Sequence, residues 1–200
     1  MFEASNKLAI FDFDGTLYTY DSVLSFCLFY YQKKPWRLWR LFIQVVAWVA
    51  WKLNLIDTRT FKTRFICFIA RDSAKEIERM ATQFWNNTSS FNQELLIALK
   101  TCKENMILPV VVSASPDLFI IPACNKLGIK EVIATTLNIT EHGYSLGTNC
   151  RGEEKIKRLR HVFPTQTLGF AYSDNIDDIA LLQLAENGFL IKNGKINAFH

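Results

Sequence analysis

The stretch Leu8-Ala9-Ile10-Phe11-Asp12-Phe13-Asp14-Gly15-Thr16-Leu17 decides how this chain is read. An apolar run ends in two carboxylates one residue apart, followed by a glycine and a threonine. The run predicts a buried strand, and Gly15 predicts the turn that stops it. Burying carboxylates is costly unless a cation or hydrogen bonds compensate. Two of them at the carboxyl end of a strand therefore point to a metal site and a candidate nucleophile. The competing reading of these positions alone is an acidic turn after a strand.

Working outward, residues 8–13, 108–113, 132–136, 167–173 and 189–192 read as strands. Residues 94–103, 115–127, 153–161 and 177–185 read as helices between them. This alternation predicts an α/β fold, a Rossmann-like parallel sheet with helices on both faces. Residues 136–147 alternate apolar and polar side chains and predict a hairpin appended to the sheet. Between residues 21 and 87 the patterns are helical only. They predict an all-helical insertion after the first strand, over the strand ends where open α/β sheets bind ligands. The expected division is a catalytic core of residues 1–20 and 88–200 and a helical cap of residues 21–87.

Composition narrows the class. The 200 residues are 50% apolar and 21% charged, which excludes a disordered chain. A net charge of +4 is too mild for a dedicated nucleic-acid binder. Cys27, Cys67, Cys102, Cys124 and Cys150 are scattered and form no C-x-x-C pair, which suits reduced thiols in the cytoplasm. Glu3 and the polar Ser5-Asn6-Lys7 do not read as a cleaved signal peptide.

Each predicted strand ends in residues suited to phosphate chemistry. The second runs into Ser113 within Val-Val-Val-Ser-Ala-Ser-Pro, and a later one into Asp174, Asp177 and Asp178. Lys155 lies near the start of a helix. In a parallel sheet these tips converge in one crevice. A carboxylate nucleophile can form an aspartyl-phosphate and divide hydrolysis into two steps. Like unit charges about 4 Å apart repel by roughly 4 kcal/mol at an effective dielectric near 20. Such a nucleophile therefore needs help against a phosphate dianion. Magnesium, held by one or two carboxylates and the substrate, would supply it, and Lys155 would add a second positive charge. Ser115, Pro116 and Asp117 predict an N-cap, a first helical residue and a first-turn acid, hence an anion site at a helix start. Competing chemistries lack their residues. No G-x-x-x-x-G-K-[ST] loop is present, no cysteine has an arginine six positions on, and His142, His161 and His200 sit in no nucleophilic arrangement.

With these motifs in order, the chain resembles the haloacid dehalogenase (HAD) superfamily of aspartate-nucleophile phosphatases. The resemblance rests on D-x-D-G-T-L at 12–17, Ser113, Lys155 and D-x-x-x-D at 174–178. It implies Asp12 as nucleophile and Asp14 as general acid and then base. It implies Mg2+ held by Asp12, the main-chain carbonyl of Asp14, and Asp174. Ser113, Ala114 and Lys155 would bind the phosphoryl group, and Asp178 would orient the metal shell and Lys155. The insertion resembles the small cap of subfamily IB, which holds the phosphoserine phosphatases. Asp21 stands where those enzymes carry a cap-proximal Glu, Ser173 where Gly is usual, and Asp177 where Asn is frequent. The Ser-Ala-Ser-Pro segment and the cap look closer to phosphatidylglycerophosphatase C.

The segment 36–56 is unusual. Arg37, Arg40 and Gln44 follow helical spacing and form a narrow polar stripe, and among residues 41–51 only Gln44 is polar. Spanning a bilayer needs about 20 apolar residues, so this run is too short. Tryptophans flanked by lysine and arginine favour a membrane interface. The competing reading buries the helix between cap and core or in a dimer. The expected function is a Mg2+-dependent phosphomonoester hydrolase acting on a lipid phosphate such as phosphatidylglycerol phosphate, peripheral on the inner membrane face. A soluble phosphatase of a small phosphometabolite such as phosphoserine stays open. So does a non-catalytic module that binds a membrane or partner. No nucleic-acid partner is expected, and the oligomeric state is left open.

Overall fold

The computed structural model describes residues 6–141 and 143–199. His142, His200 and the polar residues before Asn6 lie outside the described residues. The decisive apolar run forms β1 (Lys7–Phe11) at the middle of the sheet. β2 (Leu108–Pro116) and β6 (Thr167–Ser173) flank it, both parallel to it. β3 (Glu131–Thr135) extends the sheet beyond β2, and β7 (Asn187–Lys192) beyond β6, also in parallel. β4 (Leu137–Thr140) and β5 (Gly143–Leu146) form the predicted hairpin, but as a separate two-stranded sheet. The main sheet ends with β8 (Lys195–Ala198), antiparallel to β7 and not foreseen.

β1 explains the two-sided core. Its side chains alternate, so Ala9 and Phe11 enter one apolar layer while Leu8 and Ile10 enter the other. Val111 joins the first layer, and Val110 and Val112 the second. α5 (Gln93–Glu104) and α6 (Asp117–Lys126) contribute to the first layer. α7 (Glu153–Val162) and α8 (Ile179–Leu184) close the second.

Between β1 and α5 lie α1 (Ser22–Lys33), α2 (Arg40–Lys52), α3 (Thr58–Phe65) and α4 (Ala74–Asn86), with no strand. Local capping fixes the starts of α1, α3 and α4. Asp21, Asp57 and Ser73 each accept a backbone N–H from the first turn that follows. α4 buries Ile77, Met80, Ala81, Phe84 and Trp85, one stripe at helical period. That stripe packs on α6, where the Trp85 Nε1–H donates to the Phe119 carbonyl at 2.6 Å. Phe26 of α1 meets the Phe119 ring at 4.9 Å between centroids. These aromatic contacts fix the insertion over the first apolar layer.

α2 reverses the usual arrangement. Its polar stripe faces inward and its apolar residues face out. The buried Arg40 guanidinium donates to the carbonyls of Cys67, Phe68 and Ala70 at 2.9, 3.2 and 3.0 Å. Buried Gln44 donates to the Phe65 carbonyl at 2.6 Å and accepts from the Tyr31 hydroxyl at 3.0 Å. Leu41, Phe42, Val45, Val46, Trp48 and Val49 are exposed, Phe42 at 74%. The burial of this face against the core, one expectation for it, is therefore excluded. α2 is also shorter than residues 36–56. Arg37 belongs to a preceding 3-10 turn, Pro35–Arg37, where it pairs with Asp72. No helix of the described residues is long and apolar enough to cross a membrane.

Candidate active site

The strand tips converge as the parallel reading requires. Asp12 follows β1, Ser113 lies in β2, Ser173 ends β6, and all three side chains are buried. Lys155, in the first turn of α7, completes the group. Its ammonium lies 2.9 Å from Asp12 Oδ1 and 2.6 Å from Asp178 Oδ2, with the lysine only 2% exposed. The Ser173 hydroxyl reaches Asp178 Oδ2 at 2.6 Å and Asp12 Oδ2 at 3.3 Å. Asp12 Oδ1 also accepts the Phe13 N–H at 2.8 Å. Burial pushes the Asp12 carboxyl up to about 7, with Lys155 pulling down and Asp178 pushing up. Burial opposes the Lys155 ammonium, but the Asp12 and Asp178 carboxylates outweigh it and raise its pKa.

Asp14 is held by serines. Its Oδ1 accepts the Ser22 N–H at 2.7 Å, and its Oδ2 accepts the Ser115 hydroxyl. The Ser22 hydroxyl in turn donates to Ser115 Oγ at 3.0 Å. Burial raises the Asp14 pKa against these hydrogen bonds, and nearby Asp21 raises it further. Ser115 therefore does not cap a helix. It sits in β2, and α6 starts at Asp117 after Pro116, without a side-chain cap. The Asp117 carboxylate instead accepts the backbone N–H groups of Leu118 and Leu137, at 2.7 and 3.0 Å.

Asp174 lies directly over Gly15. Gly15 has φ +68, and a Cβ on it would come 2.1 Å from Asp174 Oδ2. Thr16 secures this arrangement. Its hydroxyl oxygen accepts the Asp174 N–H at 3.0 Å and lies 3.3 Å from Asp174 Oδ1. Burial raises the Asp174 pKa, with its hydrogen bonds opposing.

Asp12, Asp14, Asp174, Lys155, Ser113 and Ala114 line one cavity of about 580 Å³ between the strand tips and the helical insertion. Its insertion side carries Leu24, Phe61, Phe65 and Lys62. Asp178 lies behind Lys155, 1% exposed. Asp21 borders the cavity while capping α1. Asp177 is drawn away to Arg151, whose guanidinium lies 2.5 Å off, and its backbone N–H bonds to Asn175 Oδ1. Two positions given no role from sequence hold the acids, Ser22 for Asp14 and Thr16 for Asp174. Ser173, noted only for standing where Gly is usual, links Asp12 with Asp178.

The donors fit a hard divalent cation. Among the described residues no group of three or more Asp, Glu, His or Cys side chains is arranged to hold a metal. Magnesium needs fewer, because it keeps several waters and takes one or two carboxylates plus substrate oxygens. Asp12 and Asp174 supply two carboxylates beside one cavity, both pushed by burial toward the neutral form that a cation would reverse. Asp178 Oδ1 is buried without a hydrogen-bond partner, an orphan that the water shell of a cation held at Asp12 and Asp174 would satisfy.

The haloacid dehalogenase-like hydrolase family matches residues 9–183. Protein CicA of Caulobacter vibrioides is 33% identical over 207 residues, covering 94% of this chain and 87% of that protein. A solved protein with unknown function from Bordetella pertussis Tohama I superposes with a TM-score of 0.74 at 20% identity, over 88% of this chain and 86% of that one. A phospho-aspartyl intermediate analogue of phosphoserine phosphatase superposes with a TM-score of 0.58 at 15% identity, over 92% and 85%. The two structural likenesses show a shared α/β fold. With the family match spanning β1 through α8 and a relative alike over nearly the whole length, this chain belongs to the haloacid dehalogenase-like hydrolases.

Proposed function

We propose that this hydrolase cleaves phosphomonoesters through an aspartyl-phosphate on Asp12, with Mg2+. The reading is carried by one observation: Asp12, Asp14, Asp174 and Lys155 face a single cavity at the strand tips. An Asp12 carboxylate oxygen attacks phosphorus while the bond to the leaving oxygen breaks. Asp14 gives that oxygen its proton. Burial suits Asp14 to the task by keeping its proton to higher pH. In the second half Asp14 takes a proton from the water that attacks phosphorus and frees Asp12. The Lys155 ammonium has three N–H donors, and two are spent on Asp12 and Asp178. The third is left for a phosphoryl oxygen, alongside Ser113 and the Ala114 segment. Asp12, the Asp14 carbonyl and Asp174 would hold Mg2+, which would supply positive charge against the repulsion between the Asp12 carboxylate and the phosphate.

We assign residues 21–87 as a cap of the subfamily IB kind, on a core of residues 1–20 and 88–200. The substrate we favour is a phosphomonoester on a lipid, of the phosphatidylglycerol phosphate type, met at the inner membrane face. Support comes from α2, whose outward face is apolar from Leu41 to Val49. Trp36, Trp39, Leu53 and Leu55 extend it. Contiguous exposed apolar surface of this kind marks an interaction site. No acidic residue occurs between Asp21 and Asp57, and exposed Lys33 and Lys52 flank the apolar stretch Leu41 to Val49 in sequence, which complements an anionic lipid surface.

Hydrolysis of p-nitrophenyl phosphate with Mg2+ tests the chemistry, and Asp12→Asn is expected to abolish it. Equal rates in the two proteins would eliminate the nucleophile. Flotation with anionic liposomes tests the surface. The native protein is expected to float and Trp48→Glu to stay behind. A native protein that stays in solution, or that instead dimerises through α2, removes the lipid reading. Phosphoserine turnover without lipid would replace the substrate.

A further inference from the structure

The cavity carries a second cationic place that the phosphoryl chemistry does not use. Lys62 of α3 lines it from the insertion side and Arg151, just before α7, from the sheet side. The Lys62 ammonium contacts the neutral Asn149 Oδ1 at 2.8 Å, and among the described residues it forms no ion pair with a carboxylate. Arg151 keeps Asp177 on its Nε at 2.5 Å, which leaves further guanidinium N–H donors. Arg59 of α3 donates to the Leu146 carbonyl at 3.1 Å, so α3 is tied to the β5 end that leads toward Arg151. Burial lowers the Lys62 pKa first and the Arg151 charge lowers it further, while the Asp21 and Asp14 carboxylates only partly oppose this. An anion between them would offset the repulsion between the two cations.

We propose that Lys62 and Arg151 form a second anion subsite, so that the preferred substrate bears another anionic group besides its phosphomonoester. This rests on the phosphomonoesterase reading above and adds a substrate class to it. A phosphodiester, as in a glycerophospholipid headgroup, and a carboxylate, as in a phosphorylated acid, share the needed chemistry. Lys62 is absent from the sequence motifs because a lone lysine on a short helix carries no signal. Only the fold brings it to the same cavity as Arg151.

The test is equilibrium binding of non-hydrolysable ligands to the full chain with Mg2+, by calorimetry. Propylphosphonate offers one anionic group. 3-Phosphonopropanoate adds a carboxylate, and 3-phosphonopropyl methyl phosphate adds a phosphodiester. At least one two-anion ligand is expected to bind about tenfold tighter than propylphosphonate, the gain of a charge-assisted contact. The tighter of the two identifies the source. Lys62→Met and Arg151→Gln should each erase most of that advantage while leaving propylphosphonate within twofold, and Lys62→Arg should keep it. Equal affinity for all three ligands overturns the subsite. So does an equal loss for one-anion and two-anion ligands in Lys62→Met, or no binding of either two-anion ligand. Loss of the catalytic reading is seen separately, in p-nitrophenyl phosphate hydrolysis by the native protein.

Discussion

Replacing Gly15 by alanine displaces Asp174 without replacing any side chain of the site. The new Cβ would stand 2.1 Å from Asp174 Oδ2 and 2.6 Å from its Cγ, where contacts under 3.0 Å are not tolerated. The carboxylate must therefore retreat by roughly 1 Å, and a misplacement of about that size can cost on the order of 10²-fold in rate. Retreat also strains the Thr16 contacts at 3.0 and 3.3 Å. The backbone cost is separate. Gly15 has φ +68, and a non-glycine residue there loses about 1–2 kcal/mol. Gly128→Ala isolates that cost. Its φ is +66, and its new Cβ would meet only the end of the long Lys103 side chain at 2.9 Å, with no acid in contact. Both variants should lose similar stability in urea unfolding. Only Gly15→Ala should lose about 10²-fold in kcat/KM on p-nitrophenyl phosphate, with part of the loss recovered at higher Mg2+. If folded Gly15→Ala keeps its activity within threefold of native at equal Mg2+, Asp174 has no need of its observed position and the metal assignment fails.

Two further outcomes follow from the buried acids. The folded Asp12 pKa of about 7 lies above its ordinary 3.8, so between those values the folded protein keeps a proton that the unfolded chain has released. Its stabilising contribution is full below about pH 4 and is lost as pH rises toward 7, so urea unfolding of metal-free protein should show this decline and Asp12→Asn should flatten it; an unchanged slope in the variant would contradict the buried-carboxyl account. Ser115→Ala removes a hydrogen bond that holds the Asp14 pKa down, so the alkaline limb of kcat should move to higher pH; a limb that stays in place would separate Asp14 from the proton transfer.

Much of this arrangement was legible because the signals are local. Asp12, Asp14, Gly15 and Thr16 sit within five residues, and an apolar run before them can be read as a strand. Ser115 misled for a physical reason. By its neighbours it is an N-cap before Pro116, but β2 runs on until Pro116 registers with Thr135, and Asp14, about a hundred residues earlier, takes its hydroxyl. Asp21 shows the reverse case, since its capping of α1 is a local feature that was read only through its place in a family pattern. β8 went unseen because Lys195 to Ala198 is short and half polar, although Asn193-Gly194, with φ 52 and 76, is a strong hairpin turn. Periodicity found the polar stripe of α2 but carries no sign. It cannot say which side of a helix faces the protein.

That sign is what ties the insertion to the chemistry. In water a helix normally turns its apolar stripe inward. α2 does not, because Arg40 finds three carbonyl acceptors inside and Gln44 both a donor and an acceptor there. Turning the helix over would leave those carbonyls without their buried donors, and an unmet buried group costs about 1–3 kcal/mol. Leaving Phe42 or Trp48 in water forgoes about 1.5–3 kcal/mol for each side chain that could be buried. The two sums are of similar size, so packing within one chain does not by itself favour the exposed face over the alternative. A medium that takes up Leu41, Phe42, Val45 and Trp48 removes the second cost and keeps the first saved. On the proposed reading that medium is the lipid surface, and the same insertion that rests on it carries Leu24, Phe61 and Lys62 into the wall of the cavity. On that reading a phosphomonoester with an apolar body and a second anion would meet a matching wall in the cavity.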